Sequence, residues 1–282
     1  MTVSEIRLIR ELLKTKAGLF FPDKKEYLVE SGVSKRIRAT GAKDQADYLF
    51  RFLRRDPGEL NRLIDLLTVS ETYFMREMEF LKLAAQRIIP DIARNKTGPV
   101  RVFSAGCATG EEAYSLLMLL RHYNFNLSRV EVLGMDINSA SIHRARAGVY
   151  GQASFRHLSP EAREIVMGFV QSDSDGGFRV DPQLASKARF IRGNLLHDVK
   201  PSWNMDLVLL RNTLMYIAPE MRITVLKNLK QAMAPGGFLI LGQIELVSGT
   251  DGVFPGTRIQ GLKVFYKEAP VKTRETHGNK EG

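Results

Sequence analysis

Residues 100–115, VRVFSAGCATGEEAYS, constrain this chain more than any other stretch. They read as a short apolar strand, a glycine-bearing turn and the first turn of a helix. An open α/β sheet presents nucleotide-like ligands in this way, at the carboxyl ends of its strands. The turn has Gly106 and Gly110 rather than the three glycines of a dinucleotide loop, and no P-loop lysine follows. Instead, Glu111 and Glu112 open the helix. Phosphate-cradling loops offer backbone N–H groups, a helix N-terminus and often a lysine, all positive in sign. Two carboxylates would repel a diphosphate. They suit a ligand that carries positive charge, as S-adenosylmethionine does on its sulfonium and ammonium groups.

The rest of the pattern predicts an α/β fold, a doubly wound Rossmann-like sheet with a small all-α domain before it. Helices are expected over 4–16, 23–40, 45–54 and 57–67, giving a basic helical domain at 1–66. Thr68 onward, to 93, reads as a connector whose long helix ends near Pro90. Strands over 100–104, 130–135, 189–192, 206–210 and 238–242 then alternate with helices over 111–123, 139–147 and 219–233, which argues for a doubly wound parallel sheet. A closing strand pair is expected at 254–256 and 262–266. Residues 151–190 break the alternation and read as a small β insertion, with a hairpin turn at SDSDGG (172–177). The catalytic unit would span 94–268, and the polar segment 269–282 would be a disordered tail.

Composition narrows the setting. A chain of 282 residues holds one large domain or two smaller ones. Its single cysteine, Cys107, excludes an intrachain disulfide and fits a reducing cytoplasm. There is no long apolar run and no apolar leader, so neither membrane insertion nor secretion is expected. The net charge of +10 points to an acidic partner, either nucleic acid or a protein surface. Within residues 1–60, Lys and Arg number 13 against 9 Asp and Glu, and Lys35, Arg36 and Arg38 cluster. That cluster reads either as a solvated helix face or as a docking surface.

Several residues carry candidate chemistry. Asp136 ends the second strand, where it could accept two ribose hydroxyls or cap the next helix. Glu112 could face a cationic ligand or be an ordinary first-turn acid. Cys107 reads as a small loop residue. Arg211 and Asn212 directly follow the apolar run DLVLL, at the carboxyl edge of the sheet. Tyr216 follows as a core aromatic or a site residue. In the connector, Thr68, Ser70, Thr72 and Arg76 surround Phe74 and, read alone, resemble a capped helix start. The five histidines form no metal-like cluster, so no metal is expected.

Taken together, LTVSETYFMRE (67–77), FSAGCATGEEAYS (103–115), GMDINSASIHRARAGVY (134–150), NLL (194–196), LRNTLMY (210–216) and APGGFLILGQIE (234–245) resemble the CheR-type chemotaxis receptor methyltransferases. The resemblance runs over nearly the whole chain. It implies a class I methyltransferase sheet and an S-adenosylmethionine-dependent protein-glutamate O-methyltransferase, with S-adenosylhomocysteine as product. Carried over by position, Ser70, Thr72 and Arg76 would close the cofactor site around the Gly106 turn, with Arg76 near the methyl-transfer centre. Glu112 would face the cofactor ammonium and Asp136 its ribose. Asn194 and Leu195 would flank the adenine, with Arg211 and Asn212 nearby, and Tyr216 would line the substrate opening. Lys35, Arg36 and Arg38 would meet the acidic cytoplasmic helices of chemoreceptors, bound by a monomer. Three departures stand out. Gly32 replaces a usual arginine and would weaken the basic stripe, Ser70 replaces an asparagine, and GQIE (242–245) replaces GHSE. The short SDSDGG turn suggests an enzyme that needs no receptor-tail tether. Two other readings stand beside this one. An RNA methyltransferase fits the charge, but the basic residues are not interleaved with aromatics. A cofactor-sensing regulator without turnover fits the departures.

Overall fold

Strands alternate their side chains between two faces, so a strand buried on both sides must be apolar throughout. Met205–Leu210 is fully buried along its length, and it lies at the centre of the fold. The computed structural model describes residues 3–173, 176–245 and 250–269. Its main sheet has seven strands in the order β6-β2-β1-β7-β8-β10-β9. These are β1 (Val100–Ala105), β2 (Val130–Asp136), β6 (Ala188–Arg192), β7 (Met205–Leu210), β8 (Met233–Leu241), β9 (Gly256–Ile259) and β10 (Leu262–Tyr266). The first five named run parallel, and β10 and β9 add an antiparallel edge. The chain runs outward from β1 to β2 and β6, then returns beside β1 as β7. The order therefore reverses between β1 and β7, where such sheets open a ligand crevice.

Two cores form on the two faces. Val100, Val102, Leu207, Leu209 and Ile240 point to one, and Phe103, Ala105, Val208, Leu210, Leu239 and Leu241 to the other. The first is covered by α7 (Glu111–His122) and by the connector helix, which comprises α5 (Met78–Leu83), a π turn (Ala84–Ile88) and α6 (Ile89–Arg94). The second is covered by α11 (Pro219–Ala232) through Val225, Leu226 and Leu229. The connector helix continues past Pro90, where it was expected to end. Pro90 brings no N–H to the helical ladder, and the wide π turn just before it accommodates the misfit.

The insertion is a three-stranded sheet, β3 (Val149–Tyr150), β5 (Phe178–Val180) and β4 (Val170–Ser172), with α9 (Pro160–Met167) and α10 (Pro182–Ala185) beside it. Its hairpin turn includes Ser174 and Asp175, which lie outside the described residues, as do 270–282 of the expected tail. The closing strand pair is β9 with β10, not 254–256 with 262–266. Phe254 is buried in the core instead, and Pro255 brings no N–H to a ladder.

The N-terminal helices are α1 (Val3–Ala17), α2 (Glu26–Thr40), α3 (Gln45–Asp47, continuing as a π turn over Tyr48–Leu53) and α4 (Pro57–Leu67). Ile6, Ile9 and Leu13 on one face of α1 meet Val29, Val33, Leu63 and Leu67 in a separate core. Gly41 ends α2 in the left-handed conformation, and Asp56 caps α4 at the Gly58 N–H.

Two sequence expectations about α2 change here. Gly32 is buried toward α4, and a Cβ there would lie 2.7 Å from Leu67 Cδ2. Position 32 therefore lies off the exposed basic face, and its glycine allows close helix packing rather than thinning that face. Arg36 does not stand free on that face but is paired within the helical domain. Its Nε and Nη2 donate to Glu59 at 2.7 and 2.8 Å, and Tyr48 Oη donates to the same carboxylate at 2.8 Å. Lys35 and Arg38 remain exposed.

Burial opposes the charged form of Glu59, but the hydrogen bonds from Arg36 and Tyr48 outweigh it and hold the carboxyl below its ordinary value. A depressed folded-state pKa gives stability above the unfolded value and loses it as pH falls. Glu59→Ala should cost about 3 kcal/mol at neutral pH, because it strands a partly buried guanidinium and a buried phenol. Melting temperatures should show a gap from wild type that narrows below about pH 4.

Candidate cofactor and substrate site

A cavity of about 290 Å³ opens between the helical domain and the carboxyl ends of the central strands. Gly106 to Ala108, Glu112, Met135, Asp136, Asn194, Leu195, Arg211 to Thr213 and Tyr216 line it from the sheet side. Thr72 and Arg76 line it from the connector, and Leu19 to Pro22, Lys25 and Leu28 from the helical domain.

The turn after β1 needs glycine for two reasons. Gly106 has φ +77, and a Cβ there would lie 2.6 Å from Thr213 Cγ2 on the neighbouring loop. Gly106 and Cys107 both donate to the Met135 carbonyl, at 2.8 and 3.0 Å. Asp136 Oδ2 accepts from Ala108 N at 2.9 Å, which fixes the loop across the β1–β2 boundary. Its other oxygen accepts from Asn138 N at 2.9 Å. The helix cap is Asn138, not Asp136: its side chain accepts from Ser141 N at the start of α8 (Ser139–Ala147). Burial raises the Asp136 pKa, against three backbone N–H groups that favour the charged form. Burial also pushes the Cys107 thiol well up, so it is no nucleophile at neutral pH.

The paired glutamates divide. Glu112 faces the cavity, accepting from Ser104 Oγ at 2.7 Å and from Arg211 Nη1 at 2.9 Å. Glu111 turns away and is buried, accepting from Thr109 Oγ1 at 2.6 Å and Ser154 Oγ at 2.8 Å. Only one of the two therefore presents charge to a ligand.

Arg211 lines the cavity from the end of β7. Its side chain is 2% exposed and lies between Glu112 and Glu77. Its Nη2 also donates to the Arg76 carbonyl. β7 stands three strand positions from β6, which precedes Asn194 and Leu195, or about 14 Å away. Asn212 follows the same pattern, with Nδ2 donating to Glu77 Oε1 at 3.2 Å. Ser70 lies outside the cavity lining and joins Ser141 Oγ at 2.5 Å, which pins the connector to α8. Asn194 donates from Nδ2 to the Lys16 carbonyl at 3.2 Å. Arg76 is half-buried, gives one N–H to the Glu71 carbonyl at 3.0 Å, and lies 5.7 Å from the Tyr73 ring centre.

The sequence reading missed the wall supplied by AGLFFP (17–22). Phe20 N donates to the Tyr216 carbonyl and Ala218 N to the Gly18 carbonyl, both at 2.9 Å. The signal was present: this is an apolar run outside any periodic element. Sequence reasoning also missed the clamp at Glu245. That carboxylate is buried, and Oε1 accepts from the backbone N–H groups of Thr213 and Leu214. Its Oε2 has no partner, and burial pushes the group up to about 7. Gln243, at a position where the sequence departs from GHSE, donates to Glu79 Oε1 at 3.0 Å.

A crevice at the reversal of a parallel sheet, with carboxylates on its floor instead of phosphate-binding cations, defines an S-adenosylmethionine-dependent methyltransferase. The chain belongs to the CheR methyltransferase family. Residues 4–68 match the all-alpha domain of that family and residues 70–261 its S-adenosylmethionine-binding domain. It is 28% identical to chemotaxis protein methyltransferase 2 of Vibrio cholerae, over 98% of this chain and 96% of that one. It is 27% identical to chemotaxis protein methyltransferase 1 of Pseudomonas aeruginosa, over 87% and 91%. A probable biofilm formation methyltransferase, WspC, of the same organism is 31% identical over 83% of this chain and 55% of its own length. The cofactor is S-adenosylmethionine, and the donor set fits it: Arg211, the cation beside Glu112, is already committed to carboxylates. Among the described residues no group of side chains could hold a metal, and no helix is long and apolar enough to cross a membrane.

Gly106→Ala should abolish cofactor binding measured by calorimetry, since both φ and the Thr213 approach exclude a Cβ. Glu245 gives a pH test. Its folded-state pKa lies above its unfolded value, so its favourable contribution is full below about pH 4.5 and is lost as pH rises through about 7. Glu245→Gln keeps a carbonyl acceptor for Thr213 and Leu214 and removes the titration. The stability of wild type relative to this variant should therefore fall between pH 5 and 8 in thermal melts.

Proposed function

We propose that this enzyme transfers the S-adenosylmethionine methyl group to glutamate side chains on the cytoplasmic helices of chemoreceptors, giving methyl esters. The observation that carries the reading is the division of charge in the cavity. Glu112 and Asp136 line it beside the Gly106 turn, where Arg211 is already paired with Glu112, and Lys25, Arg76 and Arg222 line it elsewhere, where the one further acid on the exposed rim, Glu71, is paired with Arg156. A cationic donor is drawn to the first set and an anionic acceptor to the second. Lys35 and Arg38 continue the cationic surface along α2, about 15 and 20 Å beyond Lys25.

In this reading Glu112 takes the cofactor ammonium and Asp136 the ribose, with Asn194 and Leu195 beside the adenine and Thr72 closing over it. The cofactor supplies an electrophilic methyl on sulfur; the acceptor oxygen bonds to that carbon as the C–S bond breaks, leaving its electron pair on a neutral thioether. A glutamate with an ordinary pKa of about 4.3 is already ionised at neutral pH, so the step needs no general base. What it needs is alignment and exclusion of water. Arg76 orients the acceptor carboxylate, and Tyr216 narrows the opening. Cationic steering raises the encounter rate with an acidic helix more than it raises affinity. The protein acts as a cytoplasmic monomer, with no nucleic acid involved.

The test uses radiolabelled S-adenosylmethionine and membranes carrying chemoreceptors. Base-labile label should appear on the receptor band, and Arg76→Ala should reduce its rate by at least 100-fold while the protein still binds cofactor. Label on RNA, lost steeply with salt, would favour RNA methylation instead. Cofactor binding without incorporation would favour a regulator.

A further inference from the structure

We propose that Phe20, Val69 and Met215 form an apolar collar that selects the sequence around the accepting glutamate. The inference rests on the function proposed above. Five residues that line the cavity are also exposed, and so form its rim: Phe20, Lys25, Val69, Glu71 and Met215. Three of them are large and apolar, with exposures of 39%, 55% and 42%. They come from three separate segments: the stretch between α1 and α2, the connector and the loop after β7. Large apolar side chains left in water at one opening mark a contact surface.

The occupant follows from charge and reach. Lys25 on the rim, with Lys35 and Arg38 exposed farther along α2, favours an acidic partner. Tyr27, Ser31, Lys35 and Arg38 recur at helical spacing on the exposed face of α2, so a second helix can lie along them. Glu71 on the rim is held by Arg156 at 3.1 Å, which reduces its repulsion of an acidic helix. A glutamate side chain is short. To place its carboxylate beside Arg76, the helix that carries it must press against the rim. Its neighbours three and four residues away then meet the collar, because they share the glutamate's face. An apolar collar favours apolar neighbours there and disfavours charged ones, which would lose hydration without gaining a partner.

The test measures initial rates of ester formation against receptor concentration, with the full chain and receptor-bearing membranes. Phe20→Ser, Val69→Ser and Met215→Ser together should raise the half-saturating receptor concentration at least tenfold, with the cofactor dissociation constant held within twofold. Receptors in which the apolar neighbours of a methylated glutamate are changed to lysine should lose activity with wild-type enzyme. They should lose little more with the triple variant, since coupled contacts are not additive. An unchanged half-saturating concentration, with wild type active, overturns the collar. Absence of receptor esters from wild type overturns the proposed function and the collar with it. If the triple variant fails to bind cofactor, Met215→Ser alone decides, with at least a threefold rise expected and no rise refuting.

Discussion

The buried guanidinium of Arg211 is the interaction on which the site depends. It lies at the end of the central strand and is paired with Glu112 from α7 and Glu77 from the connector. Three elements distant in sequence meet at one side chain. Removing it would leave two carboxylates facing each other with no cation between them, a far larger loss than any surface pair carries. The connector follows a backbone path that needs such an anchor. Met75 and Glu77 both have positive φ, at 59 and 47, and Asn212 has φ 56. Non-glycine residues adopt that conformation at some cost, and they hold it only where neighbouring contacts fix it. Arg211, bonded to the carbonyls of Arg76 and Glu77, supplies that fixation and sets where Arg76 enters the cavity.

A second consequence concerns charge. Glu112 is not a bare carboxylate awaiting a cation, because Arg211 and Ser104 already hold its oxygens in place. A preoriented acid of this kind meets an ammonium without reorganising, which lowers the cost of binding. Asp136 is fixed in the same sense by Ala108 and Asn138. The two carboxylates that face the cavity are thus held in place before any ligand arrives.

The sheet was legible because its signals are local. The run MDLVLL, the turn at Gly106 and the ends of α4 and α8 each follow from a few adjacent residues, and the structure places them within a residue or two of expectation. The strand-end positions of Asp136 and Arg211 and the first-turn position of Glu112 were legible for the same reason. Their partners were not. That Arg211 pairs with Glu112 and Glu77 depends on strand order and on the path of the connector, which periodicity does not encode. The partners of Arg36 and Glu111 were not legible because a charged residue near a helix start or in a basic run is usually solvated, whereas here Glu59 and Ser154 pair with them. The AGLFFP wall was missed because an irregular apolar segment shows its purpose only against the loop it pairs with.

That segment also changes what the helical domain is for. Leu19 bridges to Ile217, and Asp65 accepts from Ser139 N at 2.8 Å at the start of α8. Asn138 Nδ2 donates to Thr68 Oγ1 at 2.8 Å. These contacts join the helical domain to loops on both sides of the cavity, and Leu28 of α2 lines the cavity itself. A ligand that fills the cavity and touches both domains adds its binding energy to the docking of one on the other. In the function proposed, acceptor choice is then a property of the docked pair of domains rather than of the basic helix alone.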